Sequence, residues 1–102
     1  MTDLPIACTL DLISLEQQKS GLLPGLAQQA IARVPVSEGL RLTFAPTSEV
    51  LAAIARTVDA ERQCCPFLRF QLTIEPGSGP VILEVTGPPG TGAFLERLVG
   101  PR

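Results

Sequence analysis

Apolar and polar residues alternate over residues 6–12. Ile6, Cys8, Leu10 and Leu12 fall on one side, and Ala7, Thr9 and Asp11 on the other. A period of two marks a half-buried strand and points Cys8 toward the core. Ser14 with Gln17 three residues on makes a capping box, so a helix is expected to begin there. Ser20-Gly21-Leu22-Leu23-Pro24-Gly25 interrupts it, because proline has no place in an undistorted helix interior. The pattern predicts a kinked or two-part helical segment over residues 15–33, with Leu22, Leu26 and Ala30 inward and Leu23 a further candidate.

Residues 35–39 read as a turn. Leu40, Leu42 and Phe44 then alternate with Arg41, Thr43 and Ala45 as a second strand. Pro46-Thr47-Ser48-Glu49 opens the next helix, with Thr47 or Ser48 as its cap and Glu49 favourable in the first turn. That helix is predicted to reach about Cys64 and to stop before Pro66. Residues 67–75 form a third strand, with Leu68, Phe70, Leu72 and Ile74 on its apolar side and Phe67, Arg69, Gln71 and Thr73 on the other. Pro76-Gly77-Ser78-Gly79-Pro80 is a hairpin loop, and residues 81–86 return antiparallel. After the turn Gly87-Pro88-Pro89-Gly90, Thr91 caps a short last helix through Leu98.

The order β-α-β-α-β-β-α predicts an α+β protein of two layers. A mixed four-stranded sheet carries its helices on one face. Arg41, Thr43, Arg69, Gln71, Thr73 and Glu84 occupy the bare face, with Thr9 and Asp11 as further candidates, and that face is a candidate contact for a two-fold homodimer.

A length of 102 residues suits one domain spanning the whole chain. An apolar fraction of 45% supports a filled core. The net charge of −2 comes without a basic stripe, which argues against nucleic-acid binding. No apolar run approaches a membrane span, and the opening Met1-Thr2-Asp3 has no basic region before an apolar one, so a cytoplasmic protein is expected. Three cysteines, two of them adjacent, argue for reduced thiols over a disulfide framework. The chain has no histidine, which removes the commonest general base and metal ligand.

The candidate chemistry lies at Glu61-Arg62-Gln63-Cys64-Cys65-Pro66-Phe67, where the central helix meets the third strand. On a helical wheel Leu51, Ile54 and Val58 form an apolar stripe that Glu61 and Cys65 continue, with Cys64 beside it. A carboxylate thus precedes a thiol by one turn on the face that should be buried. A buried carboxylate needs a partner, and Arg62 and Arg69 are the local candidates. With Cys8 inward from the first strand, three sulfurs and one carboxylate converge. Thiolates select soft metals such as Hg(II), Cu(I) or Zn(II). The Cys-x₂₋₄-Cys spacing of zinc sites is absent, however, and adjacent helical residues diverge by ~100°, so both thiols reach one ion only where the helix frays at Cys64. The bland alternative is that the cysteines serve as small buried hydrophobes. A helix C-terminus also raises a thiol's pKa, which disfavours an activated nucleophile.

Gly87-Pro88-Pro89-Gly90-Thr91-Gly92 spells the opening of an ATPase phosphate loop. Ala93 and Phe94 stand where lysine and a hydroxyl residue should follow, so the stretch reads as a turn and helix cap.

These pieces together resemble a bacterial family of small proteins with Glu-x-x-Cys-Cys-Pro-Phe at its centre. The matching stretches are Cys8-Thr9-Leu10, Leu22-Leu23-Pro24-Gly25-Leu26, residues 39–44, residues 61–70 and residues 79–88. Similar segments follow the DNA-binding domains of mercury-responsive, MerR-type regulators. The resemblance implies an intracellular bacterial protein connected with metal or thiol stress. It supplies no activity, and this chain has no DNA-binding domain.

Three hypotheses result. The first is a non-catalytic soft-metal binding or sensing protein using Cys8, Cys64 and Cys65, with Glu61 in support. The second is a thiol-redox protein using the vicinal pair. The third is an interaction module that dimerises through the bare sheet face, with its cysteines only in the core.

Overall fold

A computed structural model describes residues 22–100. The strand expected at residues 6–12, with Cys8 on it, and the capping box at Ser14 lie outside the described residues. In chain order the elements are α1 (Leu22–Gln29), β1 (Ala32–Val36), β2 (Gly39–Phe44), α2 (Ser48–Cys64), β3 (Arg69–Ile74), β4 (Val81–Thr86) and α3 (Thr91–Val99). The class is α+β. Among the described residues the sheet is antiparallel throughout and not mixed, in the order β1-β2-β4-β3.

One strand was not expected. The expected helix is present over Leu22–Gln29, but the end of that reading at residues 32–33 and the turn at 35–39 give way to a hairpin: β1 pairs with β2 from Ala32↔Thr43 to Val36↔Gly39. Pro35 is tolerated because β1 is an edge strand, where a missing N–H costs no ladder bond. Glu38 makes the tight turn at φ 49°. Only eight residues of α1 precede this hairpin within the described chain. Leu23, Leu26 and Ala27 face inward from it, whereas Leu22 is exposed.

The core lies between one face of the sheet and the three helices. Leu42 and Phe44 of β2 and Val81, Leu83 and Val85 of β4 are fully buried. They alternate with exposed or half-buried positions, as a sheet covered on one face requires. Ile54 of α2 and Phe94, Leu95 and Leu98 of α3 close over them. Thr47 caps α2: its hydroxyl accepts the N–H of Val50 at 3.1 Å. Phe67, expected on the open side, is buried against Phe94 in an edge-to-face contact with ring centroids 5.6 Å apart. It sits in the turn before β3, so the strand's alternation does not reach it.

The two central strands leave no room at Gly39. A Cβ there collides with the carbonyl oxygen of Val85 and with the side chain of Thr86. Gly39→Ala is therefore expected to destabilise the fold by about 1–3 kcal/mol, the range for overpacking, read as a lower urea midpoint. An unchanged midpoint would show that β2 and β4 can separate freely here.

Candidate functional site

Along α2 the buried positions Ile54, Thr57 and Glu61 lead to buried Cys65 just past the helix. Steps of three and four residues place them in one stripe. Thr57 lies closer to its centre than Val58, which is half-buried. The stripe brings a carboxylate into the interior: Glu61 is 2% exposed.

Its partner is neither arginine. Arg62 pairs with Asp59 at 3.4 Å on the surface, and Arg69 is exposed on β3. Instead Glu61 Oε2 accepts the backbone N–H of Leu23 at 3.3 Å. The first turn of a helix has N–H groups without intrahelical acceptors and a positive dipole end, so α1 offers an anion what a side-chain cation otherwise supplies. Pro24, immediately after Leu23, was the one sequence signal for such a turn, since proline is accepted where N–H groups have no helical acceptor. Glu61 Oε1 is buried and has no hydrogen-bond partner among the described residues. Loss of water raises the carboxyl's pKa above the usual range, and the backbone N–H groups of Leu23 and Leu22 offset only part of that.

Cys65 ends α2 as its C-cap, with φ −127° and ψ 74°. Its N–H donates to the Glu61 carbonyl at 2.6 Å, and its own carbonyl accepts from Leu68 at 3.0 Å. The side chain is fully buried. Burial, then the negative charge of Glu61, then Cys64, push the thiol up to about 12. Cys64, the last helical residue, is exposed, and both thiols are free. The structure thus gathers Glu61 and Cys65 on one buried face and sets Cys64 beside them at the surface. Cys8 lies outside the described residues. Among the described residues no group of three or more His, Cys, Asp or Glu side chains is gathered around one point.

The loop at Gly87-Pro88-Pro89-Gly90 has a different occupant from the nucleotide its spelling suggests. Gly90 begins α3 at φ 101° without a side-chain cap of its own. Thr91, expected as the cap, is buried and donates its hydroxyl to the Pro88 carbonyl at 2.6 Å. The N–H groups of Gly90 and Gly92 donate instead to Glu38 Oε1, at 3.1 and 3.0 Å. The anion position at the start of this helix is filled by the chain's own carboxylate, from the β1–β2 turn. Sequence spacing gave no hint of a partner 52 residues away.

Comparison with protein-family models, with characterised proteins and with solved structures gives no match.

The two thiols should separate in reactivity. Iodoacetamide on the folded, reduced protein is expected to alkylate Cys64 and to spare Cys65 until denaturant is added, as read by tandem mass spectrometry of the shared peptide. Equal modification of both under native conditions would contradict a sealed Cys65. Glu61 predicts a pH dependence. Its folded pKa exceeds its unfolded one, so between the two values the unfolded chain releases a proton that the folded chain keeps. Stability from this group is therefore intact below the ordinary carboxylate range and falls as pH rises toward the raised value. Glu61→Gln removes that slope. Relative to the native chain, the variant should gain stability as pH rises above the ordinary carboxylate range in denaturant titrations; parallel curves would refute the assignment.

Proposed function

We propose that this chain is a small non-catalytic protein that binds a soft metal ion, of the Hg(II), Cu(I) or Zn(II) class, through Cys64 and Cys65. Cys8 supplies a third sulfur and Glu61 the neighbouring negative charge. The observation that carries the reading is the unmatched Glu61 Oε1, buried on the same face as Cys65 and one turn before it. A carboxylate short of partners beside a thiol is satisfied by a cation. A soft cation binds the thiolate and displaces its proton, so a thiol pKa near 12 gives way on binding. Exposed Cys64 serves as the first point of capture.

The thiol-redox reading has less support. It has Cys64 attacking and Cys65 or Cys8 resolving, and Cys65 is sealed in the interior with its thiol pushed up to about 12, which opposes the thiolate that resolution needs. A reducing compartment such as a bacterial cytoplasm belongs to the metal reading, since it keeps thiols available. So does a two-fold contact through the bare sheet face, where Val34 and Ile82 interrupt the polar positions around the Arg41–Glu84 ion pair.

Titration of the reduced protein with Hg(II), Cu(I) and Zn(II) is expected to raise sulfur-to-metal charge-transfer absorption for at least one of them. Cys64→Ser/Cys65→Ser should abolish it, and Glu61→Gln should weaken binding about tenfold, as the loss of one charge-assisted contact does. Undiminished binding by the double variant would overturn the proposal.

A further inference from the structure

The sheet ends abruptly at β3, with no strand beyond it among the described residues. Phe70, Leu72 and Ile74 stand in register with Val85, Leu83 and Val81, and so share their face of the sheet. The three β4 side chains are fully buried, yet Leu72 is 48% and Ile74 58% exposed. Between this edge and α2 runs a mostly apolar groove of about 360 Å³, lined by Ile54 and Val58 on one side and Phe70 and Leu72 on the other, with the charged Asp59 and Arg62 also lining it. Natural edges are blunted by proline, inward charge or a covering element. Within β3 the only charge is Arg69, at its start and on the opposite face.

We propose that residues 6–12 of this same chain dock along the free edge of β3 as an added strand, placing Ile6, Cys8, Leu10 and Leu12 in the groove. The period of two in that stretch matches the pleat of β3, and its seven residues match the six of β3 in length. Reach is sufficient. The described chain begins at Leu22, whose neighbour Leu23 is bonded to Glu61 near the C-terminal end of α2. That same end of α2 leads through residues 65–68 into β3. The nine residues 13–21 extend to about 30 Å, about the width of three helices side by side. A tethered strand also outcompetes a free one, because its local concentration is fixed by the linker. The two proposals share one residue: a docked Cys8 is withheld from the metal, which Cys64 and Cys65 then hold as a pair, and Cys8 joins them only when the strand is released.

Hydrogen exchange of the full-length protein, read by mass spectrometry, tests it. The peptide covering residues 6–12 is expected to exchange at least about tenfold more slowly than an unstructured chain, and Cys8 to resist alkylation. Leu72→Asp/Ile74→Asp should release both protections while β2 and β4 keep theirs. Should that variant unfold, Leu10→Asp gives the same readout from the other partner. Random-coil exchange of residues 6–12 in the native chain would overturn the proposal. So would a concentration-dependent dimer that Leu72→Asp/Ile74→Asp dissociates, since a second copy would then be the occupant.

Discussion

Glu61 carries its carboxylate between α1 and α2, where the backbone N–H of Leu23 bonds it and burial keeps water out. That single contact spans 38 residues of sequence. It joins the first described helix to the end of the longest one, and it fixes the setting in which the cysteine pair sits. An unpaired buried charge is among the costliest features a small domain can keep. Here the start of a helix lowers that cost without removing it, since one carboxylate oxygen still lacks a partner. Leucine or glutamine would fill the space at lower cost, and the proposed function gives the carboxylate a reason to stay.

Much of the architecture was legible. β2, β4 and α2 follow their periodicities because each presents one face to a continuous core, and period is the trace that burial leaves in sequence. β1 left no such trace. Its residues are exposed or half-buried, and Pro35 reads as a breaker unless the strand is known to lie at an edge. The inward side of β3 was read correctly, but periodicity reports facing and not coverage, so the exposure of Leu72 and Ile74 was invisible.

At the site, the sequence identified the residues but not their relations. Glu61 and Cys65 were placed on one buried face from spacing alone. The partner of Glu61 was sought among arginines, because side-chain charges can be seen in a sequence and unpaired backbone groups cannot. The division of labour between the cysteines depended on where α2 ends. One residue of difference leaves Cys64 in water and carries Cys65 into the interior, which gives two adjacent identical side chains opposite availability. The proposed soft-metal role would draw on that inequality, with Cys64 open to an incoming ion and Cys65 buried beside Glu61.

The carboxylate of Glu38 at the start of α3 has a consequence for evolution of the chain. A tethered anion acts at an effective concentration on the order of millimolar, which matches many free phosphate metabolites, so no solute gains an advantage at that cradle while the hairpin tip stays in place. The glycine-rich loop works as a latch between a turn and a helix. Acquiring a ligand there would require surrendering the latch first, and with it the orientation of the β1–β2 hairpin on the rest of the sheet.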